Sequence, residues 1–483
     1  MHRGLRRLAT CLWLGVAVLI GMYLLCAAWS TLERIRYPSE YIYGEAIVLD
    51  QVRRIGLGQP LYATPDALPL TVTAYPPVYY VVVAGLQHLA GDTGYGPGRV
   101  VSVAATLVAA AMLVWSVRQI AGRWSGGVLA AGLFLTQNLT ALLWASAHRV
   151  DPLALCLTLI GLALATRGRT TLAALPLAGA FLTKQSYLVA AAAVVLTLWP
   201  ARRSMLDFGA VFFGCLAASI AIGVRLTEGQ LLWHTVLANA NPQDLTYFAA
   251  MIGSFLQLNA LPLVAAVAAF GLCARRPERL WQAYFVLAGV ETLLTVGKLG
   301  ASSNYWLELS AATSVLIGVV AMRIREVRPE RRLFTAPGLA ALVFVALLAS
   351  VPAYQANVSQ ALEQEFARRD NQPTARAELV AMAAREPGAV LTDDPGIAVE
   401  AGKRVEFEFV VFTILATQGI WNEQPILDAI AARRFGLVVL TTSLDDPVRP
   451  LISARYTETV RLALRAVYAP AGQLTGYWLY RPE

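Results

Sequence analysis

Twelve apolar stretches fill most of the first 353 residues, at 8–29, 76–90, 98–117, 126–145, 151–166, 172–183, 186–199, 206–226, 248–272, 281–298, 305–322 and 335–353. A spanning helix needs about 20 apolar residues. Backbone inside a bilayer must satisfy its own hydrogen bonds, so runs of this kind fold as helices. Several are too short to cross unaided. The chain is 57% hydrophobic and only 14% charged, against about 25% charged in a soluble domain. It cannot cover itself with polar groups, which excludes disordered, fibrous and ordinary soluble classes. A polytopic membrane protein is expected.

The formal charge is +8, but its placement argues against a nucleic-acid partner. Residues 1–359 hold 26 Lys+Arg against 15 Asp+Glu, and residues 360–483 hold 13 against 16. The basic excess lies at the ends of apolar runs, where it marks cytoplasmic loops and headgroup contacts. With Arg202/Arg203, Arg275/Arg276/Arg279 and the cluster from Arg323 to Arg332 inside, the intervening helices alternate correctly. The loops at 227–247 and 299–304, and everything after 353, then lie outside. An inside N-terminus requires one apolar run between 76 and 117 not to cross, and 76–90 is expected to be re-entrant or interfacial. About eleven crossings result. The run at 8–29 is too long for a signal peptide and is expected to stay as the first helix. The five cysteines lie in apolar stretches with no C-x-x-C spacing, so neither a disulfide framework nor a zinc site is indicated.

Two polar regions stand out. The first external loop, 30–75, contains Ile47, Val48, Val52 and Ile55 at helical spacing, which predicts a helix lying along the membrane surface. After 360 the pattern becomes that of a soluble α/β domain. Strands are expected at 388–392, 437–442 and 476–480, and helices at 425–434 and 455–468.

An ionisable residue at membrane depth is a functional candidate by default. The orientation above gathers Glu45, Arg149, Asp151, Lys184, His234, Lys298 and Glu308 at the outer face, with the polar Tyr75, Gln185, Asn239, Asn241 and Asn304 beside them. Glu45 suits a general base, or is a solvated loop carboxylate. Asp151 before Pro152 has the pattern of a helix N-cap. Lys184 suits headgroup contact or a phosphate. Lys298 stands in a Gly/Ser/Asn-rich turn that allows close backbone approach, and Asn304 and Glu308 fall on one helical face. His234 is a hydrogen-bonding residue rather than a metal ligand, since no two histidines have ligand spacing. Carboxylates could recruit Mg²⁺ or Mn²⁺. Asp393-Asp394 before Pro395 reads as a turn or a divalent-ion contact.

Tyr43-Gly-Glu45, Gly58-Gln-Pro-Leu-Tyr62, Tyr75-Pro-Pro-Val-Tyr-Tyr80, Arg149-Val-Asp151, Thr183-Lys-Gln185 and the segment from Gly297 to Trp306 together resemble the GT-C superfamily of membrane glycosyltransferases. More narrowly, they resemble bacterial family-39-like enzymes related to protein O-mannosyltransferases and lipid A aminoarabinose transferases. The resemblance covers roughly 1–355 and implies a GT-C-like polytopic helical module of about 11–13 helices, with a soluble extracytoplasmic α/β domain at 360–483. It implies a sugar donor linked to polyprenyl phosphate, a lipid, glycan or protein acceptor at the outer face of a bacterial inner membrane, and Glu45 as catalytic base. Many members carry an adjacent acidic pair where this chain has Glu45 alone, so metal dependence does not transfer.

Two other classes compete. A flippase for a lipid-linked saccharide would share the outer basic groups, but transporters commonly place such groups near the midplane within repeated halves, and no repeat is evident. A structural scaffold would leave the gathered charges without a purpose.

Overall fold

The computed structural model describes residues 2–136, 143–272, 275–324, 334–356, 359, 375–448, 450–451, 454–474 and 476–483. Cys273, the basic residues from Arg325 to Arg332, residues 137–142 of the 126–145 run and residues 357–358 and 360 of the expected boundary lie outside the described residues. In chain order the helices begin with α1 (His2–Arg36), α2 (Glu45–Gly56), α3 (Val78–Ala90), α4 (Gly96–Ala121) and α5 (Trp124–Thr136). Next come α6 (Asp151–Thr166), α7 (Thr170–Phe181), α8 (Val189–Leu198), α9 (Arg202–Leu226) and α10 (Gln230–Thr235). The apolar part ends with α11 (Leu245–Val267), α12 (Arg276–Thr295), α13 (Leu307–Arg323) and α14 (Ala336–Ala349). The polar region adds α15 (Ala375–Arg385), α16 (Pro395–Glu400), α17 (Phe409–Thr417), α18 (Gln424–Ala431) and α19 (Glu458–Val467). Its strands are β1 (Ala389–Thr392), β2 (Phe435–Leu440), β3 (Tyr468–Leu474) and β4 (Tyr477–Pro482).

Among the described residues, six helices are long and apolar enough to cross a membrane, and five apolar helices of 10–17 residues are shorter. The chain is a polytopic helical membrane protein with a C-terminal α/β region. It divides into two compact units. The first comprises Met1–Ile35, Arg99–Ile220 and Gln243–Leu362, and the second Arg36–Gly98, Ala221–Pro242 and Glu363–Glu483.

The first unit is a helix bundle. α13 is its inner member, with 83% of its most apolar window buried, whereas only 17% of the window on α9 is covered by protein. Burial explains how α13 tolerates hydroxyls, since Thr313 and Ser314 donate to the carbonyls of Leu309 and Ser310 at 2.7 and 2.9 Å and leave no polar group unsatisfied. At the C-terminal end of α13, Arg323 pairs with Glu278 on the first turn of α12. At that end Trp281 also donates to Thr166 at 3.1 Å. Arg276 and Arg323 therefore share one end of the bundle.

The second unit is built on a four-stranded sheet of order β1-β2-β4-β3, with β1 and β2 parallel and the other pairs antiparallel. Three expected strands are present as β1, β2 and β4. β3 carries Pro470 and Gly472 and gives no alternating pattern, so its place comes from pairing with β4. The sheet does not make a core alone. Leu70 and Val72 of the first loop and Ala238 pack among Phe407, Phe412, Trp421 and Phe435. Leu70 bridges Phe407 in parallel, its N–H donating to Glu406 O at 2.8 Å while Glu408 N–H donates to Leu70 O at 2.9 Å.

That assembly corrects the expectation for α2. The helix is amphipathic, but nine of its twelve residues are buried, polar ones included. Arg54 pairs with Asp50 at 2.5 Å, Asp50 accepts from Val405 N–H at 3.2 Å, and Gln51 donates to Val72 O at 2.9 Å. A helix lying on a membrane keeps its polar face in water; here protein covers both faces. The first loop is also shorter than expected, because α1 runs on to Arg36.

Candidate functional site

In the first unit the helix signal at Asp151 resolves differently from the pattern. Helix α6 begins at Asp151 itself, with Val150 preceding it, and the side chain makes no capping bond. The carboxylate is fully buried and points to groups remote in sequence. Lys184 Nζ donates to Oδ1 at 2.6 Å, and Asn304 Nδ2 donates to the same oxygen at 2.8 Å. Burying a carboxylate without partners is costly, and this pairing offsets the loss of water. Asp151 is held by tertiary contacts and is not a helix cap.

Lys184 is likewise withdrawn from lipid headgroups. Its side chain is 5% exposed, and its ammonium lies 4.8 Å from the Tyr305 ring centroid and 5.7 Å from that of Tyr187. Arg149 stacks over Trp144 at 5.5 Å, and Trp144 Nε1 donates to Ser303 at 3.1 Å. Lys298 is half-buried in the turn after α12, in a bridge with Gln243. Gln185 follows Lys184 in the turn after α7.

Asn304 and Glu308 do not act as a pair. Residues Ser303–Trp306 form a tighter 3₁₀ turn before α13 begins, which turns Asn304 to Asp151 while Glu308 accepts from Tyr284 at 3.0 Å. The groups nevertheless share one end of the bundle. α13 begins beside Asn304 and ends at the Arg323–Glu278 pair, so Asp151, Lys184 and Asn304 lie opposite the basic clusters.

The other candidates belong to the second unit. Glu45 is buried at the start of α2, its Oε2 accepting from Tyr41 N–H at 3.0 Å. Gly44 precedes it with φ 93°, a left-handed conformation that glycine adopts without steric cost, and this turn is what brings the carboxylate back over Tyr41. Glu40 lies close by, Oε1 accepting from Ala46 N–H at 3.3 Å. Burial, together with the charges of Asp394 and Glu45, raises the Glu40 carboxyl to about 8. Glu40 was not foreseen, because nothing in its local spacing marks it.

His234 has both ring nitrogens engaged by backbone. Thr73 N–H donates to Nδ1 at 3.0 Å, so Nε2 carries the proton and donates to Ala63 O at 2.7 Å. Burial pushes its proton affinity down to about 4, leaving a neutral ring that staples the first loop to α10. Tyr75 accepts through its carbonyl from Tyr62 OH at 2.9 Å, and Asn241 is half-buried in the segment after Asn239. Asp394 caps α16, accepting from Gly396 N–H at 3.0 Å, and Asp393 accepts from Thr441 N–H at 2.9 Å. The Asp393-Asp394 turn is thus a structural one.

Among the described residues, no three His, Cys, Asp or Glu side chains group as metal ligands. Asp151 Oδ1 already accepts from a lysine and an amide. That oxygen is therefore not open to a divalent ion. The four described cysteines are unpaired.

No family model matches the sequence, and no curated protein matches it. Solved structures do. ArnT from Cupriavidus metallidurans in the apo state superposes with a TM-score of 0.61 at 12% identity, covering 95% of this chain and 97% of that one. The same protein bound to undecaprenyl phosphate gives 0.61 at 13% identity, with 96% and 97% covered. The Archaeoglobus fulgidus oligosaccharyltransferase in the apo form gives 0.52 at 11% identity, with 95% and 74% covered. The chain has the fold of ArnT, that of a polytopic helical membrane protein with a C-terminal domain.

Proposed function

We propose that this chain is a membrane glycosyltransferase that moves a sugar from a polyprenyl-phosphate-linked donor to an acceptor hydroxyl. The observation that carries the reading is the likeness to ArnT over nearly the whole of both chains, one of those structures being bound to undecaprenyl phosphate. The gathering of Asp151, Lys184 and Asn304 at the bundle end opposite the basic clusters supports it. In this reading the N-terminus is cytoplasmic in a bacterial inner membrane, and the C-terminal region faces outside.

The roles follow from chemistry, unit by unit. Arg149 and Lys298 of the first unit hold the donor phosphate, the guanidinium by a fork and the ammonium as a point charge. Lys184 is already balanced by Asp151, so its part is to keep that bundle end ordered. Glu45 of the second unit takes the proton from the acceptor hydroxyl as its oxygen bonds to the anomeric carbon. The bond from that carbon to the phosphate oxygen breaks, and the electron pair leaves with the phosphate, whose growing charge the cations stabilise. A single displacement of this kind inverts the anomeric configuration.

Loss of a general base costs about 10²–10⁴ in rate. Glu45→Gln should therefore lower the loss of donor from membranes of a deletion strain, followed by mass spectrometry of the lipid extract, by that factor. A rate within about twofold of the unaltered protein would remove Glu45 from the chemistry.

A further inference from the structure

The segment 37–44 leading to Glu45 has no regular secondary structure, yet its backbone is tied at successive points by carboxylates. Glu40 N–H donates to Glu400 Oε1 at 3.0 Å. The next amide, Tyr41 N–H, donates to Glu45 Oε2 at 3.0 Å, and Ala46 N–H returns to Glu40 Oε1. The group that holds the Glu45 carboxylate is therefore one residue from the group held by Glu400.

Glu400 is itself fixed from the C-terminal region. Arg376 Nε donates to Oε2 at 3.1 Å and Nη2 to Oε1 at 3.0 Å, a bidentate grip that sets the carboxylate plane. The same guanidinium donates through Nη1 to Asp394 Oδ2 at 2.9 Å, and Tyr477 OH donates to that oxygen at 2.7 Å. The backbone at Gly396 lies against this junction. A Cβ built on Gly396 would collide with Arg376 Nη2 and stand 3.1 Å from Glu40 Oε2.

We propose that Arg376 and Glu400 are positioning residues for Glu45: by clamping Glu40 they fix the peptide that holds the Glu45 carboxylate. The inference rests on Glu45 being the base. It gives the C-terminal region a task in the reaction without placing any of its side chains on substrate. The charges around Glu40 agree with such a clamp, since Arg376 is the cation set among Glu40, Glu45, Asp394 and Glu400.

The test uses full-length protein added to membranes of a deletion strain, whose own lipids supply donor and acceptor, with donor loss followed across pH. Misplacement of a reacting group by about 1 Å can cost about 10²-fold, so Arg376→Gln should slow the reaction roughly tenfold to a hundredfold. It should also move the acid limb of the pH–rate profile upward, because the cation among the carboxylates is gone. Arg376→Lys, which keeps charge but not the bidentate grip, should recover the acid limb and only part of the rate. Hydrogen exchange of the 37–46 peptide should rise in Arg376→Gln and in Gly396→Ala, the second variant serving if the first does not fold. Unchanged exchange, rate and acid limb in a folded Arg376→Gln or Gly396→Ala, with Glu45→Gln inactive, would overturn the clamp alone. Full activity of Glu45→Gln would overturn the functional reading and the clamp with it.

Discussion

The two units solve the problem of keeping charge inside a protein in opposite ways. In the bundle, Asp151 and Lys184 form a pair whose side chains are 0% and 5% exposed, with one amide and two aromatic rings as further company. In the second unit, Arg376 spreads one charge over Asp394 and Glu400, with side chains 27%, 17% and 8% exposed. The bundle pair is almost wholly withdrawn from water, so loss of one member leaves the other buried without its hydrogen-bonded counter-charge. The second network keeps some water, so loss of one member costs less stability than in the bundle, although it can still displace Glu40.

The largest test of that contrast is Lys184→Met. It leaves a buried carboxylate without its cation, which costs about 3–5 kcal/mol. A large loss of folded protein is expected by fluorescence-detected size exclusion in detergent. Replacing both members, Asp151→Leu with Lys184→Met, should regain most of the folded fraction, since a hydrophobic substitute for a whole buried pair is often neutral. If the double variant folds no better than the single one, the pair is not the reason for the loss.

A middle-sized effect comes from His234. Its ring is neutral in the folded unit, held down to about 4, and in the unfolded chain takes a proton near 6.5. Between those values the unfolded state binds more protons, so stability is lost as pH falls from 6.5 toward 4, by at most about 1.4 kcal/mol per pH unit. Thermal unfolding of the protein and of His234→Gln between pH 7 and 5 should differ by this slope, the variant losing less as pH falls, while the raised Glu40 carboxyl, which acts in the opposite sense, is common to both. An equal slope in the variant would assign the acid sensitivity to other groups.

The smallest effect belongs to the pair Arg465–Asp445, with side chains 56% and 68% exposed. Exposed pairs contribute about 0–1 kcal/mol, so Arg465→Gln should leave the unfolding temperature nearly unchanged in ordinary salt. A loss as large as that of Lys184→Met would erase the distinction drawn between the units.

Much of the architecture was legible along the chain. Apolar runs located the helices because a bilayer forces the backbone to bond within each segment. β1, β2, β4, α18 and α19 were announced by periodicity and turn residues. What was not legible depends on return of the chain. Asp151 looks like a cap because Asp-Pro is a local signal, while its true partners lie 33 and 153 positions away. α2 looks like a surface helix because amphipathicity does not say whether its polar face meets water or Val405 and Val72. β3 has no pattern of its own and exists by pairing.

The sequence by itself determined that this is a membrane protein, where most of its apolar helices run and that an α/β region follows. Those features are written in stretches of a few turns, where hydropathy and backbone geometry act alone. Only the tertiary structure decided that the first loop and the segment around Ala238 share a core with the C-terminal sheet. It alone decided that Lys184 belongs to Asp151 and that Glu40 stands beside Glu45. Desolvation makes each buried charge depend on whichever remote group the fold delivers to it, and no local spacing records that delivery.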